Sequence, residues 1–305
     1  MKKVIILFFA LFTAHIATAC DVCGCSLGGS YFGILPQFNK NFIGLRWSQA
    51  KFHSYMNHHS DYLPPESSND TYQKLELWGR YYVNKRVQLF AFIPYSFNAM
   101  NGTEQVVNSH GLGDITIIGN YLLLNTGEDK TKRFKHTWMA GAGVKLPTGD
   151  SNLKDNGALV NPNFQMGTGS TDFLVSTVYT LRYQKAGLSV ESGYKMNTRN
   201  RNDYLFGNQF HASSQFFYWQ NAGPFAFLPN AGVFFEQAAR HKDGSIIQAN
   251  TGGSSVQVTA GLETYVKGFT VGFTYKHPVR QHYNSDNIAT ITAKDNWSLS
   301  LTYNF

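Results

Sequence analysis

Apolar residues recur at every second position over most of this chain. The clearest rows are Leu75, Leu77, Tyr81 and Val83, then Val87, Leu89, Ala91, Ile93, Tyr95 and Phe97, then Ile115, Ile117 and Tyr121. Seven more follow: Trp138, Ala140, Ala142, Val144 and Leu146; Phe173, Val175, Tyr179 and Leu181; Leu188, Val190, Tyr194 and Met196; Phe210, Ala212, Phe216 and Tyr218; Phe225, Phe227, Val233 and Phe235; Val256, Val258, Ala260 and Leu262; and Phe269, Val271, Phe273 and Tyr275. A period of two belongs to an extended strand, whose successive side chains point to opposite faces. A first row at Ile43, Leu45 and Trp47 has its upper boundary blurred by Lys51 and His53, and a last one runs from Trp297 to Phe305. Together they predict about twelve strands and no helix, each near the roughly ten residues with which a tilted strand crosses a bilayer.

The alternate positions decide what kind of sheet this is. They carry Arg46, Glu76, Arg80, Asp114, Lys145, Arg182, Glu191, Lys195, Glu236, Glu263 and Lys276. In a secreted sandwich these would lie in a dry core, at a cost of several kcal/mol apiece even when paired. A wet lumen removes that cost, so the pattern predicts an all-β, transmembrane, antiparallel barrel of outer-membrane type, with apolar rows on lipid and charged rows inside. Trp78, Phe90, Phe92 and Phe217 also fall inward by parity, either as a stacking path for a solute or as plain filling of the lumen.

Connections agree. Asn84-Lys85, Lys185-Ala186-Gly187, Asn221-Ala222-Gly223 and Lys267-Gly268 read as tight turns. Alternating with them are polar stretches from Asn57 to Asp70, Ala99 to Gly111, Thr148 to Gly169, Asn197 to Gly207, His241 to Gly253 and His282 to Asp295, which read as long extracellular loops. Asn125 to Lys135 is out of phase and reads as an extended periplasmic turn, leaving both ends of the barrel on the periplasmic side.

Composition changes the picture in two ways. Among 305 residues there are 28 Gly, 24 Phe, 17 Tyr and 5 Trp but 15% charged side chains, against about 25% in soluble domains. A mean hydropathy of -0.27 excludes a helical membrane protein while suiting a barrel with a polar interior. The formal charge of +7 comes without a dense basic run interleaved with aromatics, which argues against nucleic acid as a partner. At the start, Lys2 and Lys3 precede an apolar run from Val4 to Phe12, and Ala17-Thr18-Ala19 supplies the small residues of a cleavage site. Residues 1–19 therefore read as a secretory signal, 20–40 as a periplasmic Cys-rich segment and 41–305 as the barrel. The expected location is the outer membrane of a Gram-negative bacterium, with its lipids as partners and the Phe305 strand as the segment taken up by barrel-assembly machinery.

Three glycine-rich motifs point to a family. His110-Gly111-Leu112-Gly113-Asp114, then Ala142-Gly143-Val144-Lys145-Leu146-Pro147-Thr148-Gly149-Asp150, then Gly167-Thr168-Gly169-Ser170-Thr171-Asp172 resemble the outer-membrane transporter barrels grouped as the "MetA-pathway of phenol degradation" family, over roughly Leu75 to Phe305. The resemblance implies a transporter-like barrel and carries no phenol specificity. By their own chemistry, Lys145, Asp114 and Asp172 are placed to pair near the extracellular mouth, as a structural brace more than as ligand contacts.

Other candidate chemistry lies outside the rows. Cys20, Cys23 and Cys25 sit together after the cleavage point and admit three readings: a soft-metal site for copper or zinc, a lipid attached to Cys20, or a Cys20 to Cys23 disulfide. Three thiols alone rarely fill a tetrahedral site. His58, His59 and Asp61, with His53 before them, have ligand chemistry but read as a solvated loop at the opposite end from the cysteines. A lipid hydrolase would need a serine facing acyl chains with a histidine beside it, and His211 and Ser213 share a face that parity turns inward. The expectation is thus a channel or transporter for a small polar or amphipathic solute, not an enzyme, with metal handling through the cysteines as the alternative.

Overall fold

The computed structural model describes residues 40–57, 64–103, 105–127, 129, 131–155, 157–283 and 289–305. The proposed signal, Cys20, Cys23 and Cys25, and His58, His59 and Asp61 lie outside the described residues. Twelve antiparallel strands close on themselves: β1 Phe42–Met56, β2 Glu66–Tyr82, β3 Val87–Gly102, β4 Val106–Leu112 continued by Thr116–Asn125, β5 Phe134–Lys145 and β6 Asp172–Tyr183. They continue with β7 Ala186–Met196, β8 Gln209–Tyr218 continued by Gln220–Ala222, β9 Phe225–Ala238, β10 Gly253–Val266, β11 Phe269–His282, and β12 Ala289–Ala293 continued by Asn296–Asn304. Each strand pairs with its neighbours in sequence, and β12 returns to β1 in register from Phe42 opposite Asn304 to Gln49 opposite Trp297. Closure is what lipid demands, because an open edge would leave backbone groups unbonded in hydrocarbon at several kcal/mol each.

Every predicted outward row faces outward. Ile43, Leu45, Leu77, Tyr81, Leu89, Ile117, Trp138, Phe173, Leu188, Phe216, Val233, Leu262, Phe273 and Leu301 are exposed, while their alternate neighbours are mostly buried. Turns at one end are short. Asn84 accepts backbone hydrogen bonds from Arg86 and Val87 at 2.8 and 2.9 Å, and Gln184 and Lys267 take left-handed angles of 50° and 53° that two-residue hairpins favour. The connection between Asn125 and Phe134 lies at this same end, as do Asn41 and Phe305, whose backbones bond each other reciprocally at 3.0 Å.

At the other end the strands outrun the expectation. Asn57 to Asp70, Ala99 to Gly111 and His282 to Asp295 were expected as loops, but β2 begins at Glu66, β3 runs to Gly102, β4 begins at Val106 and β12 adds Ala289–Ala293. The reason is that above the membrane the outer face meets water. Polar residues there keep the ladder without keeping an apolar row, so the extensions of β2, β3, β4 and β12 read as loop composition. Within β4 the ladder is interrupted at residues 113–115, beside Pro94 of β3, which cannot donate; the Gly113 N–H instead bonds the Pro94 carbonyl at 2.8 Å.

Candidate functional site

The barrel interior is layered along its axis. At the outer end, residues 160–170 turn into the mouth, and a single helical turn, Pro162–Phe164, drives Phe164 into it. Phe164 is wholly buried, stacks on Tyr72 at 5.2 Å and packs with Phe52, Met100, Val107, Tyr283 and Ile291. The Ser109 hydroxyl donates to the Phe164 carbonyl at 2.6 Å. Gln165 ties the same segment down through its side-chain amide, donating to the carbonyls of Leu153 and Val160 at 3.0 and 2.8 Å.

The anticipated brace forms here. Lys145 Nζ lies 2.5 Å from Asp114 Oδ2 and 2.9 Å from Asp172 Oδ2, and it also donates to Thr168 and to the Ser170 carbonyl. Asp114 accepts in addition from the backbone N–H groups of Gly149 and Thr168, and Asp172 from that of Thr198. One ammonium thus joins β4, β5 and β6 to the folded-in segment. The glycine motifs that carried the family resemblance are the backbone of this knot.

Below it lies a charged middle layer. Arg46 pairs with Glu76 and rests over the Trp78 ring at 4.8 Å, while Lys74 reaches Glu76 at 3.2 Å. Across the lumen, Lys276 Nζ sits 3.7 Å from the centre of the Phe234 ring, which also stacks with the His211 ring at 6.1 Å. His211 Nε2 is 3.5 Å from Glu191. Glu236 accepts hydrogen bonds from Ser255, Gln257 and Tyr283 at 3.0, 3.1 and 3.0 Å. Two side chains of this layer lie over glycine: a Cβ on Gly193 would meet the His211 ring and one on Gly272 the Glu263 carboxylate, so either side chain would have to shift.

Among the described residues, two cavities lie within this packing. One, of about 1080 Å³ including the part open to solvent, lies under the folded-in segment between Lys74, Asn98, Asp114, Lys145, Lys195 and His241. The other, about 610 Å³ on the same basis, lies between Arg46, Lys74, Phe234, Glu236, Gln257 and Lys276. Lys74 belongs to both. His241 stands in the loop beyond β9, bonded to the Tyr204 hydroxyl at 3.0 Å and ringed by Tyr204 and Phe206. Burial first, and the nearby Lys195 second, push its pKa down to about 4, so it is neutral in the ordinary range.

The inner end is apolar. Phe42, Trp78, Phe90, Phe92, Ile118, Leu122, Met139 and Val178 form one buried cluster, and Phe217, Leu228 and Tyr265 form another. Trp78, Phe90 and Phe92 are stacked in series at 6.2 and 6.3 Å within dense packing, which makes them filling and not an open path. Arg80 closes this end, donating to the Lys40 carbonyl at 3.0 and 2.7 Å and covering Phe42.

The charged positions read from parity therefore divide. Arg46, Glu76, Glu191, Glu236, Glu263 and Lys276 gather in the middle layer, Asp114, Lys145 and Lys195 in the outer one, while Arg80 and Arg182 stand at the inner end away from both cavities. His211 and Ser213 do face inward, with Ser213 buried. Parity also reaches Lys74, Phe234 and Gln257, whereas Phe164 and His241 lie in segments with no period to read.

The fold is similar to that of an outer membrane channel from Pseudomonas putida F1, with a TM-score of 0.62 and 11% identity over 87% of this chain and 96% of that one. Weaker likenesses include the β domain of the Bordetella autotransporter BrkA, with a TM-score of 0.45 and 11% identity over 87% and 99%, and a Pseudomonas aeruginosa FadL homologue, with 0.42 and 11% over 87% and 90%. At such identity the P. putida channel speaks for the fold alone, an outer-membrane-type β-barrel. No curated protein matches the sequence. Residues 70–289 match the family described as "Putative MetA-pathway of phenol degradation", and the chain belongs to that family.

Proposed function

We propose that this barrel sits in the outer membrane of a Gram-negative bacterium and passes a small polar or amphipathic solute at low conductance, without catalysing a reaction. The observation that carries the reading is a pair of cavities inside the cylinder that share Lys74 in their walls. A solute entering beneath the folded-in segment meets the ammonium of Lys74, then a pocket with Arg46, Lys276 and the Glu236 carboxylate on its walls and the Phe234 ring as its apolar face. That lining suits a molecule with a hydrogen-bonding end and a short apolar body. The family's description speaks of phenol degradation, and a phenol-sized solute has this character. The apolar layer at the inner end is the main resistance, which is why conductance should be small compared with that of a water-filled porin.

The test is flux through purified protein in liposomes and planar bilayers, with folding checked by heat-modifiable gel mobility. Small solutes should enter faster than into protein-free vesicles, and Phe92→Ala should raise the rate several-fold by thinning the inner layer. Folded protein that admits no small solute above the vesicle background, with or without Phe92→Ala, overturns the proposal.

A further inference from the structure

On the lipid-facing side, three cations meet where the apolar rows of β1, β11 and β12 end. Lys51 continues the outward row of Ile43, Leu45 and Trp47, and its carbonyl accepts from the Lys294 N–H at 2.8 Å, so the two lysines stand side by side on neighbouring strands. Arg280 reaches the same place through a bulge. Even-numbered positions of β11 face the lumen, as Thr270, Gly272 and Lys276 do, but the register passes from Gln257 opposite Pro278 to Val256 opposite Arg280, leaving Val279 as an extra residue. A bulge re-aims the side chains that follow it. Arg280 consequently lies on the exposed face, and Tyr283 is turned inward and buried. Gln281 fastens this arrangement: its amide donates to the Ala293 carbonyl at 3.3 Å and its oxygen accepts from the Ala293 N–H at 2.6 Å, which keeps Arg280 next to Lys294.

Height and charge then point to a partner. Lys51 is nine residues beyond Phe42. At about 3.3 Å per residue and a tilt of about 40° that is a rise of roughly 23 Å, close to the roughly 25 Å of a barrel's apolar band. Directly below are the ring-bearing residues Trp47, Tyr275 and Trp297, which suit an interface. The acid nearby, Asp295, is engaged by His277 at 2.6 Å and by the Tyr275 hydroxyl, and it offsets part of the charge of Lys294 only. Like charges set side by side across strands repel unless an anion comes between them. We infer that Lys51, Lys294 and Arg280 form a binding site for the phosphates of an anionic glycolipid headgroup in the outer leaflet. The inference rests on the membrane barrel and not on the channel reading.

Binding is measured on detergent-solubilised full-length protein with diphosphoryl lipid A, monophosphoryl lipid A and inorganic phosphate as probes. The diphosphoryl lipid should bind most tightly, inorganic phosphate should compete weakly, and K51Q/R280Q/K294Q should weaken the lipid by about tenfold at unchanged heat-modifiable mobility. A second triple variant at the opposite rim, K85Q/R86Q/K267Q, carries the same charge change and should bind as the unaltered protein does. Equal binding by K51Q/R280Q/K294Q and the unaltered protein, or equal losses in both triple variants, overturns the site.

Discussion

The two halves of the cylinder share one outer surface and differ inside. From β2 to β6 the inner end is dominated by Trp78, Phe90, Phe92, Ile118, Leu122, Met139 and Val178, with Gln88, Asn120 and Thr137 among them, whereas from β7 to β12 the large apolar groups are fewer, Phe217, Leu228 and Tyr265, and stand beside Ser189, Gln215, Thr270, Gly272 and Thr302. One wall is richer in large apolar groups and the other in small polar ones. The difference shows that alternation fixes which residues meet lipid and leaves the lumen free to be greasy on one side and hydrogen-bonding on the other.

The strongest test of this contrast is truncation. Phe90→Ala, in the dense half, should cost about 4 kcal/mol, while Gln215→Ala, which loses a 2.6 Å hydrogen bond to Thr259, should cost about 1 kcal/mol, both measured by urea unfolding in lipid vesicles. Similar values for the two would remove the distinction between the walls. Next comes the charged exception at the top of the apolar half. Lys145→Met leaves Asp114 and Asp172 buried without their cation and should cost about 3 kcal/mol, with residues 146–171 becoming open to protease. Resistance equal to that of the unaltered protein would show that the packing of Phe164 holds the segment unaided.

A smaller effect sharpens the polar half. His241 above it titrates near 4 when folded and near 6.5 when unfolded, so the unfolded chain binds more protons in between. Stability is then full above about pH 6.5 and falls toward pH 4, by about 2 kcal/mol between pH 7 and 5. His241→Gln should flatten that slope, as read by melting temperature against pH. Smallest of all, Ser213→Ala should change stability by about 1 kcal/mol and leave solute flux as it was. Lipid hydrolysis that disappears in this variant would instead make the barrel an enzyme.

Much of the fold was legible because hydrocarbon tolerates no exceptions on the outer face. Leu75 to Val83 or Phe269 to Tyr275 can be read residue by residue. The extension of β2, β3, β4 and β12 was not legible, since Glu66 to Asp70 or Ala289 to Ala293 lie above the lipid, where no solvent contrast enforces an apolar row. For the site, parity places Glu76, Glu236 and Lys276 correctly and reaches Lys74 as well. It says nothing of which charges meet, because Arg46 finds Glu76 and Lys145 finds Asp172 through the register between adjacent strands, which parity does not fix. Phe164 carried no signal at all: a lone aromatic between Asn163 and Gln165 looks like loop until the chain is seen to turn inward there.

Lys74 is shared by both cavities and is already engaged by Glu76 at 3.2 Å. Any traveller that borrows its ammonium must do so in competition with that resident carboxylate, one molecule at a time. Movement through the cylinder should accordingly approach a ceiling as concentration rises, following a saturation curve in place of the straight line of simple diffusion.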